Sequence, residues 1–397
     1  MSTQDKQQRL RFLNKRRTWL FKAAGLLLGV MLVGLSLISF IAPDRTFSDQ
    51  ENRMLAEFPV VTMENIRSER FMKDAEDYVA DQFIARDAWI SLKTRADLLF
   101  GKKEFNQIVL AKGKYLMELP AAPDTANVER NMEAVNVFGS RHSDLNIDMM
   151  VVPNAVCVLE DRLPSGIPVR DQREDSQWLK SQLKSSVHYL DMITPLMEHK
   201  DEALYYKTDH HWTTKGAMYA FLAAADELEI KDPCESYDVY TVTEDFEGTL
   251  ASRAGLHNTK DEIQVYAPSG KETLFYVTDS DREEKRATLY DKSALLEKDK
   301  YQVFLGGNHA QVHIATPNEN DRVLLLFKDS YANCFVPFLI PYYKEIFMVD
   351  PRYYYDDVEK LIENYSVTDV LFLYNMDTFL SDNSLADVLV SDLSKES

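Results

Sequence analysis

Arg322-Val323-Leu324-Leu325-Leu326-Phe327-Lys328-Asp329-Ser330-Tyr331 decides how this chain folds. Residues 323–327 are apolar without interruption, and a polar Lys-Asp-Ser follows at once. An unbroken apolar run of this length, rather than an alternating one, is a strand buried on both faces. Two more strands with near-continuous apolar runs follow at 345–349 and 368–374. Helical segments are expected between them, at 331–342 (weakened by Pro337 and Pro341) and 355–365. Upstream, residues 147–152 form a strand ending at Pro153, 172–185 a helix, 187–191 a second strand and 215–228 a helix. Strand–helix alternation implies a parallel sheet covered on both faces. Residues 230–320 break the rhythm with short β-like pieces (238–243, 273–277, 301–305) and charged turns, and read as a β-rich insertion. The predicted fold class is therefore α/β, a parallel sheet flanked by helices.

The polar end of the opening stretch carries the first candidate. In open α/β sheets ligands gather beyond the carboxyl ends of the strands. Ser330 would sit there, with amides of a helix N-terminus around it to receive developing negative charge. A plain helix cap is the blander account, since Ser is common there. A Ser hydroxyl needs a base, and a His is a useful base once a carboxylate fixes its tautomer. Tyr205-Tyr206-Lys207-Thr208-Asp209-His210-His211-Trp212-Thr213 supplies both. His211 is the candidate base and Asp209 its partner. Chain order is no objection, because triads assemble in several orders. A metal site would need a third ligand, and no H-x-x-x-H or H-E-x-x-H spacing provides one. The expectation is no metal and no cofactor. Trp212 reads as core and His210 as structural. Asn375, at the end of the 368–374 strand, is either a second oxyanion donor or a turn residue. Gly306-Gly307-Asn308-His309 reads as a turn.

The N-terminus sets the compartment. No charge occurs from 23 to 42, and twenty residues of helix span about 30 Å, the thickness of a hydrocarbon core. Residues 1–22 carry seven Lys/Arg against one acid, a net of +6. Trp19 marks the interface, and the basic cluster puts the N-terminus in the cytoplasm with everything from Pro43 onward outside. The small-residue cleavage signal is weak, so an uncleaved anchor is expected. The total charge is −19, which leaves −25 beyond residue 22. Such a balance repels nucleic acid. Three cysteines without metal spacing are expected as buried thiols. The expected organisation is a basic tail (1–18), a transmembrane anchor (19–42), a juxtamembrane helical segment (43–108) and an α/β domain (109–397).

These residues together resemble a known family. Lys207-Thr208-Asp209-His210-His211-Trp212-Thr213 looks like the signature of the bacterial DHHW proteins, which are similar to SGNH-hydrolase-like polysaccharide O-acetyltransferases of the alginate type. Phe47-Ser48-Asp49-Gln50-Glu51-Asn52-Arg53, the Asp81-Gln82-Phe83-x-x-Arg86 segment and Lys328-Asp329-Ser330 match as well. The resemblance covers most of 43–397. It implies Asp209, His211 and Ser330 as the catalytic triad, in a circularly permuted motif order that gives Asn375 the oxyanion position. It implies an extracellular, single-pass protein that takes acetyl groups from a membrane-bound acyltransferase and places them on a cell-envelope glycan or exopolysaccharide. Two other functions fit the same residues: a glycan esterase or deacetylase, and a non-catalytic envelope scaffold. Lys-Asp-Ser departs from the usual Gly-Asp-Ser, and Asn375 lacks the usual following Asp.

Overall fold

The computed structural model describes residues 3–48, 53–68, 70–270, 273–280 and 285–390. Contacts divide the chain into two compact units, Met1–Ala96 and Asp97–Ser397.

The first unit begins with one helix, Thr3–Ile41. Its stretch Asn14–Ile41 is long and apolar enough to cross a membrane. The juxtamembrane helical segment expected within 43–108 forms three helices, Met63–Arg67, Arg70–Asp81 and Arg86–Leu99. The last break coincides with Ala85 at φ +53°, a conformation no helix tolerates. The Asp-Gln-Phe segment fastens this unit together. Asp81 accepts from the Ala56 N–H at 2.9 Å and pairs with Arg86, and Gln82 Nε2 donates to the carbonyls of Arg45 and Ala56. Asp49 to Asn52 lie outside the described residues.

The second unit is built on one seven-stranded sheet. Its strands in chain order are β1 (Asn146–Val152), β2 (His188–Leu190), β3 (Tyr276–Asp279), β4 (Gln311–Ala315), β5 (Val323–Lys328), β6 (Glu345–Val349) and β7 (Asp369–Asn375). Across the sheet they run β3-β4-β6-β5-β7-β1-β2. The five strands from β6 to β2 pair in parallel. The expected all-parallel sheet needs correction at its edge. Strands β3 and β4 pair antiparallel, so the insertion is part of the sheet rather than an appendage. Strand β4 reads Gln-Val-His-Ile-Ala, with polar residues alternating as an outer strand allows, and that pattern is too short to stand out. Residues 301–305, expected as strand, instead begin inside a 3-10 helix, Lys300–Val303.

Alternate side chains of each central strand enter two different cores. Leu324, Leu326, Ile346, Met348, Leu371 and Leu373 pack on the face that holds Trp212, Phe221 and Phe335. Val323, Leu325, Phe327, Phe347, Val370 and Phe372 pack on the face that holds Phe138 and Leu361. This is why the sequence runs are unbroken. Each such side chain contributes about 1.5–3 kcal/mol when fully buried. The helix Ala332–Leu339 covers the first face and Val358–Tyr365 the second. All three cysteines are free; Cys157 and Cys334 are buried and Cys234 is half-buried.

Candidate active site

Strands β6 and β7 lie on opposite sides of β5. The strand order therefore reverses at β5, and a crevice opens beyond its carboxyl end. Ser330 stands there, two residues past β5, with its hydroxyl half-buried. The turn that carries it is fixed by Asp329. That fully buried carboxylate accepts from the Tyr331 N–H at 2.8 Å and from the Asn375 N–H at 2.8 Å.

The Asp-His-His-Trp block is a tight reversal. The Tyr206 N–H donates to the His211 carbonyl at 3.2 Å, and the Thr213 N–H to Leu204 at 2.8 Å. Trp212 is wholly buried, stacks on Phe335 and donates its indole N–H to the Tyr331 carbonyl at 3.0 Å. The Tyr331 hydroxyl returns a bond to the His210 carbonyl at 2.6 Å. The block is thus bolted to the residue after Ser330, which makes Trp212 both core and register pin.

His211 Nε2 lies 2.7 Å from Ser330 Oγ, and His211 Nδ1 lies 2.5 Å from Asp209 Oδ1. With Nδ1 protonated toward the carboxylate, Nε2 keeps a lone pair for the Ser hydroxyl. Asp209 is itself held. Its Oδ1 accepts from the His211 N–H at 3.0 Å, and its Oδ2 from the N–H and hydroxyl of Thr249 at 2.8 and 3.1 Å. Burial opposes ionisation of Asp209, but His210, His211 and these donors outweigh it and hold the carboxyl well below its ordinary range. Burial and the neighbouring His210 push the His211 imidazole below its ordinary value, against the pull of Asp209. The result is a neutral imidazole beside an ionised carboxylate.

Three contributors escaped the sequence reading. Tyr301 stacks flat on His211, ring centres 3.7 Å apart, and donates its hydroxyl to the Ser330 carbonyl at 3.2 Å. Thr249 bridges Asp209 and His210: its hydroxyl donates to Asp209 Oδ2 and accepts from His210 Nδ1–H at 2.9 Å. Gly248 makes that bridge possible, because a Cβ there would fall 2.3 Å from the Asp209 side chain. Only the Gly-Thr pair at 248–249 hints at this in sequence; Tyr301 has no local signal.

Asn375 reaches the same edge but is engaged. Its Nδ2 donates to Asp329 at 2.5 Å and to Thr378 Oγ1 at 2.6 Å, and its Oδ1 caps the next helix through the Thr378 N–H. The backbone N–H of Ser330 donates to no partner among the described residues. The lysine of Lys-Asp-Ser is buried. Lys328 Nζ meets Asn308, Asn333 and Asp350 at 2.9, 3.1 and 3.4 Å. Asp209, His210 and His211 also bring ligand atoms within 4.8 Å of one another. Both Asp209 oxygens already face N–H or O–H donors, which accounts for the cluster without a cation. A cleft of about 420 Å³ adjoins the triad, bounded by His210, Thr249, Asn154, Asn375 and Asp377. A larger groove, about 1310 Å³, belongs to the first unit, between Met72, Val79 and Trp89, and holds none of these residues.

The profile of the DHHW protein family matches residues 130–349. A DHHW family protein from Eubacterium siraeum shares the fold at 26% identity and a TM-score of 0.62, covering 72% of this chain and 96% of that one. Bacillus cereus PatB1, solved with a sulfonyl adduct, shares it at 21% identity and a TM-score of 0.58, covering 70% and 98%. The O-acetyltransferase domain of Pseudomonas putida AlgJ is a more distant likeness, at 15% identity, a TM-score of 0.45 and 72% and 99% coverage. No curated protein sequence matches the chain. The matched profile spans more than half of the chain and includes both the Asp-His-His-Trp block and Ser330, so the chain belongs to the DHHW family.

Proposed function

We propose that this protein is a membrane-anchored, extracytoplasmic O-acetyltransferase acting on a cell-envelope or exopolysaccharide glycan, with Ser330 as nucleophile, His211 as base and Asp209 as orienter. One observation carries the reading: the unbroken chain of contacts from Asp209 through His211 to Ser330 Oγ. His211 Nε2 takes the Ser330 proton as Oγ attacks an acetyl carbonyl, and returns it to the leaving group. The acyl-enzyme then meets a sugar hydroxyl, whose proton travels by the same nitrogen back to Ser330 Oγ. The Ser330 N–H is placed to receive the oxyanion without exchanging a partner. Asn375 would have to give up Thr378 to do so. The donor is a membrane-bound acyltransferase, delivered to the outer face where the N-terminal helix holds the domain. The motif order Asp-His, Ser, Asn is taken as the circularly permuted form.

Esterase activity is the same first half-reaction with water as acceptor. A scaffold without chemistry expects Ser330 Oγ more than about 5 Å from His211; the 2.7 Å contact supports a working pair. The test is intact-mass spectrometry of the full-length protein in detergent with 4-nitrophenyl acetate or a sulfonyl fluoride. One acyl or sulfonyl adduct is expected, absent from Ser330→Ala. An adduct that persists in Ser330→Ala, or none on a folded parent, overturns the assignment. Added glycan then separates transferase from esterase by where the acetyl group goes.

A further inference from the structure

The cleft beside the triad has a chemistry of its own. Two of its walls are direct neighbours of the catalytic groups. The His210 ring packs 3.9 Å from that of His211, and Thr249 bonds both His210 and Asp209. On another side Asn154 donates to Asn375 Oδ1 at 3.3 Å and toward the Tyr331 hydroxyl at 3.4 Å. Beyond these stands Asp377, just after the end of β7. Its Oδ1 accepts from Gln172 Nε2 at 3.1 Å, while its Oδ2 has no hydrogen-bond partner among the described residues. The lining contains no Phe, Tyr or Trp. Recognition there must come from hydrogen bonds rather than stacking. The lining's one guanidinium, Arg253, is already paired with Glu118 at 2.6 Å. Among the described lining residues that leaves only the His210 imidazole, itself bonded to Thr249, to meet a carboxylate, and the protein as a whole carries −19.

We propose that this cleft seats the acceptor for the reaction inferred above, and that Asp377 and Glu118 select a hydroxyl-rich sugar without acidic groups over a polyuronate. Asp377 Oδ2 accepts from a hydroxyl of the bound sugar and so orients the neighbouring hydroxyl toward His211 Nε2. A uronate would instead set its carboxylate against Asp377, with the Arg253-paired Glu118 adding a second acidic group, in a cleft of only about 420 Å³. Burial, with Glu118 nearby, pushes the Asp377 carboxyl up to about 7, so the selection is strongest above neutrality.

The inference rests on the acetyltransferase reading but is tested without chemistry. Full-length Ser330→Ala in detergent is titrated at pH 8 with cellotetraose, an N-acetylglucosamine tetramer and a hexuronate tetramer, followed by calorimetry. At least one neutral probe binds and the hexuronate does not. Adding Asp377→Asn weakens the neutral probe about tenfold, the loss of one charge-assisted hydrogen bond. The same change brings hexuronate binding up, a reversal that mere loosening of the cleft would not produce. Glu118→Gln, on a different element, shifts the preference in the same direction. Equal or tighter binding of hexuronate by the parent, no binding of any probe, or unchanged preference in both variants overturns the proposal. Failure of the parent to form an acetyl adduct would instead remove the transferase reading and leave these binding results to be judged alone.

Discussion

His211 is held neutral by its surroundings, and that has a direction in pH. Its imidazole is pushed below 6.5 by burial and by His210, and Asp209 is held below 3.8 by the two histidines despite burial. Between 6.5 and the lower folded value, the unfolded chain binds a proton at position 211 that the folded chain refuses. Stability from this pair is therefore complete above 6.5 and lost as pH falls, first through His211 and then through Asp209. The acid limb of acylation should follow His211 and have its midpoint below 6.5, measured as adduct formation against pH. Asp209→Asn removes the group that fixes the tautomer, so its acylation rate should drop roughly 10⁴-fold with the fold intact. A limb at or above 6.5, or an Asn variant that acylates at the parental rate, would break the assigned roles. Sequence singled out the three residues that the fold brings into contact, because a candidate base, a carboxylate beside it and a strand-end Ser each have a local pattern. It carried neither Tyr301 nor Thr249, whose contacts with the triad exist only once distant segments meet.

At the scale of elements, the unbroken runs of β5, β6 and β7 were legible because both faces of each strand are buried. The outer strands were less so: β3 shows in sequence only as a β-like piece at 273–277 and β4 not at all, since Tyr276 and His313 sit among partly exposed positions and imitate loop. Lys328 shows what lies between these levels. In sequence it looks like a departure from Gly-Asp-Ser. In the fold it is a wholly buried cation that joins the end of β5 to Asp350 at the end of β6 and to Asn308 in the 306–309 turn. Asp350 is bound in turn by Arg352 through Nε at 2.8 Å. Removing Lys328 leaves Asp350 paired with Arg352 but takes away its second cation and strips Asn308 and Asn333 of a buried donor, a cost of about 1–3 kcal/mol. Lys328→Ala should lose about that much in denaturant unfolding. Lys328→Met, which keeps the volume but not the charge, should not recover it while Asp350 remains. Full stability in either variant would show that the network does not hold the strand ends.

Across the whole molecule, the division of labour follows the two compact units. Every strand of the seven-stranded sheet, the residues Asp209, His211 and Ser330, and the cleft beside them fall within Asp97–Ser397. The first unit contributes the long apolar helix and the short helices after it. The sequence placed a boundary at 108/109, because the apolar run from Val109 marks the start of a domain and the packing before it has no local pattern. Leu98 in fact packs on the satellite core of Phe105, Ile108 and Leu250, so the domain's own apolar surface starts some ten residues earlier. This gives the boundary an energetic meaning. A fragment starting at Asp97 keeps Leu98 and its core, whereas one starting at 109 strips Phe105 and Ile108 and exposes the residues they cover. The fragment 97–397 should therefore melt cooperatively and form the Ser330 adduct at the full-length rate, while 109–397 should melt lower and aggregate. Equal melting of the two fragments would place the boundary where the sequence did. Loss of acylation in a well-folded 97–397 would mean that the membrane-proximal unit takes part in the first half-reaction.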